Sequence, residues 1–336
     1  MKLKELQQVD NSEFYEELIT IDTWQKETIE KFFKKQVERV GLFGSYPYLL
    51  NYFYNELAIK KTKYIVIEIG NDRVILFFKK VSIFTAQYWR LVYYPISLEN
   101  IRKNEEKVLK TLIDKKTIKQ IHYIEQDRGK VDKIIDGQEQ HIDYDFFVDL
   151  IKKEKEIDRA KFKSKHAINL CEKNKDFYCR TATIEDRDKI LELHEYWKSQ
   201  KTKVSKGIFN AFWKRFDENI ENDNLIFLVY GYKNMLLGFS VFIRVMDKFS
   251  YEMIAQNHSI KKTTYTKEVE NDKILKRILA EIGQVMFYFS LKKLISVGVK
   301  ANYCAGSHDN DKGLLNFKKH FFGDCINYYR KTIKGS

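Results

Sequence analysis

The chain has 336 residues, of which 44% are hydrophobic and 15% aromatic, and this composition excludes an intrinsically disordered protein. The length allows two domains with ordinary cores. The formal net charge of +13 favours a polyanionic partner, either nucleic acid or the surface of an acidic membrane, although a lysine-rich composition without any such partner explains it equally well.

The spacing of the cysteines and the length of the apolar runs indicate whether the protein binds a metal and in which cellular compartment it is found. The four cysteines form no CxxC pair, and the histidines are scattered without ligand spacing, so we expect no metal site. The first residues, MKLKELQQVDNSEF, are polar and do not resemble a signal peptide, which predicts a cytoplasmic location. The longest apolar runs have the length of a strand, which predicts no transmembrane segment.

The first predicted domain covers residues 1–143. Apolar residues at helical spacing predict its helices, and runs of Ile, Val, Phe and Tyr predict its strands. The predicted helices are 27–39, 49–57 and 101–112, and the predicted strands are 63–69, 73–81, 89–94 and 119–125. The turn residues at 70–72 predict a hairpin between the first two strands. The polar segment 127–140 predicts a surface loop or a ragged hairpin.

The second predicted domain covers residues 144–336. Its predicted strands are 144–150, 177–182, 225–230, 236–245 and 249–255, and its predicted helices are 152–172, 184–200, 206–220 and 273–291. Thr183 with Asp186, and separately Asp272, predict helix N-caps. The basic helix 152–172 is a candidate contact for RNA or phosphate, against the simpler interpretation of a solvated charged face.

The end of the chain predicts a strand, a polar loop, a short helix and a last strand. The strand is predicted at 294–299, the helix starts at Gly313, and the last strand is 325–332. The loop carries Asn302, Cys304, Ser307, His308, Asp309 and Asp311. A polar loop before a helix start, with lysines nearby, is a plausible anion site, although a solvated surface helix accounts for the same pattern.

The order of elements in the second domain is that of a GNAT (acetyltransferase-like) domain, and the first domain repeats it in outline. Residues 306–323, GSHDNDKGLLNFKKHFFG, resemble the C-terminal signature of the Fem peptidyltransferases and of the phosphatidylglycerol lysyltransferases. Residues 144–174 match the start of the second domain in the same group. The resemblance implies an α/β (α+β) protein with two GNAT-like domains in tandem, each a mixed, mostly antiparallel sheet flanked by helices. It also implies transfer of an amino acid from aminoacyl-tRNA to an acceptor.

The segment after the third consecutive strand bears on the choice of donor. Many GNAT enzymes hold the pyrophosphate of acetyl-CoA on a glycine-rich turn there, where backbone N–H groups approach the phosphates. Residues 256–272 contain no glycine. This favours a large donor held elsewhere over acyl-CoA. The resemblance implies that this donor is aminoacyl-tRNA, a co-substrate, with no bound cofactor; acyl-CoA, with its phosphates bound by Lys261, Lys262 and Lys267, is the alternative.

The candidate catalytic residues lie at the end of the chain and on one central strand. By the resemblance, Lys318 stabilises the oxyanion that forms when the acceptor attacks the ester; a surface lysine is the alternative. Asp309 and Asp311 are candidates to orient the acceptor or take its proton, or else cap the helix. Glu252 is a candidate base or a solvent-facing carboxylate. The candidate substrate contacts are Phe317, Lys319, Asn302, Tyr303, Ser307 and Tyr251.

Three functions therefore compete at the level of sequence. The first is transfer of an aminoacyl group from tRNA to an amine or hydroxyl of an envelope precursor, a lipid or a small metabolite. The second is an N-acyltransferase that uses acyl-CoA or another acyl carrier. The third is a non-catalytic protein that uses its charge to bind nucleic acid or a membrane surface.

Overall fold

The computed structural model describes residues 1–20, 62–83, 86–150, 164–199, 216–217, 225–245, 249–259, 263–307 and 324–334. The chain forms two compact units. Unit 1 is built mainly from Met1–Asp145 and Cys325–Ser336, and unit 2 mainly from Phe146–Ala305. The division of the chain into 1–143 and 144–336 did not anticipate that the last strand is part of unit 1.

Nine helices and thirteen strands are found in the described residues. The helices are α1 (Leu3–Gln8), α2 (Asn11–Glu16), α3 (Arg102–Asp114), α4 (Arg128–Ile134), α5 (Lys165–Lys173), α6 (Arg187–Ser199), α7 (Thr266–Asn271), α8 (Lys273–Ala280) and α9 (Ile282–Ser296). The strands are β1 (Ile19–Thr20), β2 (Thr62–Ile69), β3 (Asp72–Ile83), β4 (Ala86–Leu91), β5 (Ile96–Ser97), β6 (Gln120–Ile124), β7 (Gly137–Asp149), β8 (Phe177–Thr181), β9 (Leu225–Tyr232), β10 (Met235–Val245), β11 (Phe249–Asn257), β12 (Ala301–Ser307) and β13 (Asp324–Ile333). The predicted class, a mixed and mostly antiparallel sheet flanked by helices, is confirmed.

The sheet of unit 1 has the strand order β1-β2-β3-β4-β6-β13-β7. The predicted hairpin is present: Ile69 pairs with Asp72, and Gly70 has a φ of 60°, a conformation that favours glycine. Strands β4 and β6 are parallel, while β13 runs antiparallel to β6. Strand β13, the last strand of the chain, therefore lies between β6 and β7 inside the sheet of unit 1.

The larger of two apolar clusters in unit 1 lies on one face of this sheet, and a smaller one, with Tyr64, Phe77 and Tyr93, lies on the other. Leu6 of α1, Phe14 of α2 and Leu109 of α3 are fully buried in the larger cluster. The ring of Tyr123 on β6 stacks on Tyr329 of β13 at 5.7 Å. Because α1 and α2 contribute buried apolar side chains, the N-terminal segment, for which the sequence predicted no helix, is part of the core.

The sheet of unit 2 has the order β12-β11-β10-β9-β8. On one face, Ile190 of α6 packs with Phe239 of β10 and Ile254 of β11. On the other face α9 approaches closely, since a Cβ built on Gly238 of β10 would lie 2.4 Å from Sδ of Met286. The three consecutive strands predicted in this region are confirmed.

The predicted strand at 294–299 is wrong. Helix α9 ends at Ser296. It is followed by Gly298, whose φ is 81°, and Val299 N–H donates to the carbonyl of Leu294 at 3.0 Å. A glycine in the left-handed region is a common helix end. The strand follows as β12, so Asn302, Cys304 and Ser307 lie on a strand and not in the predicted loop.

Two further predictions need correction. Segment 127–140 is not a loop, because α4 fills half of it and buries Val131, and β7 begins at Gly137. The single helix predicted at 273–291 is two helices, α8 and α9, that meet at Glu281 with a φ of −129°. The predicted helices 27–39 and 49–57 lie outside the described residues, as does nearly all of 206–220 and the first part of 152–172.

Candidate functional site

The most distinctive feature of unit 2 is that β11 and β12 separate after a short parallel ladder. Three pairs join them, from Phe249 with Ala301 to Tyr251 with Tyr303. Both strands continue, β11 to Asn257 and β12 to Ser307, but within the described residues the ladder stops there. The facing backbone groups beyond the last pair are no longer bonded to each other, so the sheet opens between the two strands.

A β-bulge lies where this opening begins. On β10, Val241 pairs with Ile254 and the next residue, Phe242, pairs with Glu252, so Met253 has no residue opposite it. A bulge takes the extra residue out of the ladder and bends the strand. Met253 thus stands outside the ladder with β10, and a backbone N–H that is left out of a ladder can donate to a carbonyl oxygen as its charge develops.

The start of the ladder is held by a buried polar contact. Ser250 Oγ donates to Asn302 Oδ1 at 2.7 Å, and Asn302 Nδ2 lies 3.2 Å from Cys304 Sγ. All three side chains are almost completely buried. The contact fixes β11 against β12 on the side where they are still paired, which defines where the opening starts. A direct contact of Asn302 with substrate stays a prediction.

A second polar group lies at the far end of β11. Gln256 is three residues beyond Met253, about 10 Å along the strand. Its Oε1 lies 3.1 Å from Nδ1 of His194 on α6, and the following His258 is also buried. Among the described residues, Nε2 of Gln256 and Nδ1 of His258 find no hydrogen-bond partner. Buried polar atoms are rarely left unpaired, so these two atoms are candidates to bind a ligand.

Two tyrosines form the sides of this group. The ring of His258 lies 5.3 Å from the ring of Tyr196 and 5.0 Å from that of Tyr265. Burial lowers the pKa of His258 to about 4, and burial also lowers the pKa of His194. Both imidazoles are therefore neutral near pH 7 and act as hydrogen-bond partners, because a base with so low a pKa is a poor proton acceptor at that pH.

We call Gln256, His194, His258, Tyr196 and Tyr265 the polar cluster. Sequence reasoning missed it, since His194 and His258 show no ligand spacing and meet only through the fold. In the part of the chain that the structure describes, no three His, Cys, Asp or Glu side chains converge as a metal site requires. The cluster offers neutral donors and acceptors between aromatic rings, which suits an amine, a hydroxyl or an amide.

The remaining predicted site residues fall largely beyond what the structure describes. Lys318, Asp309, Asp311, Phe317 and Lys319 lie outside the described residues. The backbones of Tyr251, Glu252, Tyr303 and Ser307 lie on β11 and β12, and their side chains are outside the described part. Their roles stay predictions, although Tyr251, Glu252 and Tyr303 are placed where the two strands separate.

Unit 1 carries a cavity of about 290 Å³ with a cationic and aromatic lining. The lining residues are Tyr15, Lys80, Tyr88, Trp89, Lys116, Thr117 and Lys119. The ring of Tyr15 stacks on Trp89 at 5.4 Å, and Lys63 Nζ lies 5.9 Å from the same indole. None of the lysines forms an ion pair among the described residues. Aromatic faces with nearby cations are the combination that binds unstacked nucleotides.

The significant similarity of this chain to known proteins is found in its structure and not in its sequence. No family model matches the chain, and no curated protein is significantly similar in sequence. The solved structure of a tandem GNAT protein from the clavulanic acid biosynthesis pathway matches 95% of this chain and 98% of its own, with a TM-score of 0.50 and 9% identity. The fold is thus that of tandem GNAT proteins, as the resemblance implied.

Two structures come from the group that the sequence resembles. L-PGS from Bacillus licheniformis has a TM-score of 0.55 and 15% identity, with 93% of each chain covered. FemX has a TM-score of 0.51 and 11% identity, with 81% of this chain and 88% of FemX covered. At such identities the likeness is one of fold. Among the described residues, no helix combines the length and apolarity needed to cross a membrane.

Proposed function

We propose that this protein is an acyltransferase that moves an aminoacyl group from aminoacyl-tRNA to an amine or hydroxyl of an acceptor. The observation that carries the proposal is the opening between β11 and β12, with the bulge at Met253 at its start. An aminoacyl group can hydrogen-bond through its amine and its carbonyl to backbone groups that the ladder leaves free, as an added strand does. We assign to the N–H at the bulge the stabilisation of the oxyanion that forms when the acceptor attacks.

The polar cluster supports a polar acceptor. Because the ester of aminoacyl-tRNA is already activated, the protein mainly has to align the acceptor with the ester carbon. The unpaired Nε2 belongs to Gln256 on β11, the strand that carries the bulge, and the unpaired Nδ1 belongs to His258, directly after the end of that strand. We assign them to binding the acceptor, with its amine or hydroxyl oriented toward the opening.

Two features support aminoacyl-tRNA over acyl-CoA as the donor. The segment between β11 and α8 contains no glycine, so it offers no glycine-rich turn for a pyrophosphate. The lysine and aromatic cavity of unit 1 suits an unstacked nucleotide of a larger RNA. Both features fit a polyanionic donor held at several points.

A comparison of three donors at one ionic strength tests the proposal. Purified protein is titrated with charged tRNA, uncharged tRNA and acetyl-CoA, and transfer of a radiolabelled amino acid to lipid, precursor and small-amine fractions is measured in parallel. We expect charged tRNA to bind and its amino acid to appear on one acceptor class. Tight binding of acetyl-CoA, with transfer of the acetyl group, would instead establish the N-acyltransferase alternative.

Lys318 gives the sharper variant. Lys318 is the cation proposed to face the oxyanion, so Lys318→Ala is expected to lower the transfer rate by about 10²–10³-fold. The matched control is Lys276→Ala, an exposed lysine of α8. Strong RNA binding with no transfer to any acceptor, unchanged in Lys318→Ala, would identify a non-catalytic nucleic-acid-binding protein.

A further inference from the structure

One face of the unit 1 sheet carries a row of basic side chains, on the side opposite the apolar cluster of Leu6, Phe14 and Leu109. Arg90 on β4 pairs with Gln120 on β6, and His122 on β6 pairs with Arg330 on β13. Residues that are paired, or two apart on one strand, share a face. Arg90, His122 and Arg330 therefore project side by side from three adjacent strands, while Ile121 between them points into the core.

These three side chains are half-buried and poorly paired. The Nε of Arg90, the Nε2 of His122 and the Nε of Arg330 are all buried, and none finds a hydrogen-bond partner in the described part of the chain. Arg330 donates through Nη2 to Gln140, a neutral amide. No carboxylate forms an ion pair with Arg90, His122 or Arg330 within the described residues.

Within the described residues, the charged side chains that act on His122 are all cations. Burial, and then the cations Arg90, Arg330 and Lys79, lower the pKa of His122 far below its usual value. Burial lowers the pKa of Arg90 too, with Arg330 adding to the effect. A half-buried guanidinium beside a second one, without a counter-charge, is costly, so folded proteins seldom keep such a pair unless an anion compensates it.

We propose that Arg90, His122 and Arg330 form a phosphate-binding site on unit 1. Each guanidinium offers planar N–H donors that match the oxygens of a phosphate, and the imidazole between them supplies another donor. The half-buried position suits a single phosphate group entering the site from a small molecule or a lipid headgroup. The assignment is independent of aminoacyl transfer, because it rests on unit 1 residues that have no part in the proposed reaction.

The test measures binding in the absence of any transfer reaction. Thermal unfolding of the wild type is followed with increasing inorganic phosphate against sodium chloride of equal ionic strength, together with Arg90→Met and Arg330→Met. Phosphate should raise the wild-type midpoint, as a ligand of the folded state does. Both variants should bind phosphate at least tenfold more weakly. Without phosphate they should be as stable as the wild type or more stable, because an uncompensated charge is gone.

Arg102→Met is the matched control, since Arg102 is exposed on α3 and pairs with Glu106 at 3.4 Å. It should respond to phosphate as the wild type does. Vesicles of phosphatidylcholine with and without phosphatidylglycerol identify the source: retention on phosphatidylglycerol that is lost in Arg90→Met indicates a lipid, and a response to soluble phosphate alone indicates a small molecule. The proposal is overturned if neither probe affects the wild type, if Arg90→Met responds equally, or if that variant destabilises the phosphate-free protein.

Discussion

Arg180 and Asp186 form a two-pronged ion pair at the start of α6: Nη1 lies 2.6 Å from Oδ2 and Nη2 lies 2.7 Å from Oδ1. The same carboxylate accepts the backbone N–H of Thr183 at 2.9 Å, which completes a capping box. Burial raises the pKa of Asp186, but the bonds from Arg180 and Thr183 outweigh it and hold the pKa below 3.8.

Asp186→Asn should lower the free energy of unfolding by about 1–2 kcal/mol at pH 7, because the cap and the ion pair are both weakened. A carboxyl with a lowered pKa stabilises the fold above its unfolded pKa, and this contribution is lost as the pH falls through the folded value. The difference between variant and wild type should therefore shrink below pH 3.8. Urea titrations at a series of pH values measure this difference in the free energy of unfolding. Asp188→Asn, whose side chain is 94% exposed, should change little.

His258→Phe should make the protein less sensitive to acid. The pKa of His258 is lowered from 6.5 to about 4 by burial, so below pH 6.5 the unfolded chain binds a proton that the folded chain resists. Stability is therefore lost as the pH falls from 6.5 toward 4, by up to about 3 kcal/mol. Phenylalanine keeps the ring contacts with Tyr196 and Tyr265 without this titration. Equal slopes of stability against pH in variant and wild type would contradict the prediction.

Tyr329→Ala should weaken unit 1 selectively. The ring is buried against Tyr123, and its removal leaves a cavity that costs about 3 kcal/mol. Hydrogen exchange followed by mass spectrometry should show faster exchange in β6 and β3, while β9 and β10 of unit 2 keep their protection. Equal losses in both units would mean that β13 does not belong to unit 1 alone.

Gly238→Ala should destabilise unit 2 by about 1–3 kcal/mol. The added Cβ would lie 2.4 Å from Met286 Sδ and 2.9 Å from the carbonyl oxygen of Gln256. Truncating Met286 to alanine in the same chain should not restore stability, because the second contact is with backbone. Gly283→Ala is the control: a Cβ there meets nothing within 4 Å, so the change should be neutral or stabilising. Thermal unfolding of Gly238→Ala, of Gly238→Ala combined with Met286→Ala, and of Gly283→Ala measures these differences in stability.

Local signals explain what the sequence predicted well. Strands β9, β10 and β11 are rich in apolar and aromatic residues because both faces of the sheet are covered, so their pattern is unambiguous. Asp272 was predicted as an N-cap, and it accepts the N–H groups of Ile274 and Leu275 at 2.9 and 3.0 Å. Such caps depend on neighbours within three residues, which a single sequence displays.

Features that depend on distant parts of the chain were not predictable. The run from Leu294 to Val299 has the composition of a strand, but Leu294 is buried on the apolar side of α9, and packing outweighed β-propensity. Gln256 and His194 are 62 residues apart. Arg90 and Arg330 come together only because β13 enters the first sheet, and no local pattern indicates that pairing.

The pairing of β13 with β6 also sets the order in which the molecule can be assembled during translation. Strands β8 to β11 of unit 2 end at Asn257, far enough before residues 324–333 to leave the ribosome first, so these strands can pair with one another while unit 1 still lacks a strand. Domains usually fold from the N-terminus as they emerge. Here unit 1, which is synthesised first, cannot complete its sheet until β13 has been made. Until then the edges of β6 and β7 are exposed to chaperones or to neighbouring nascent chains.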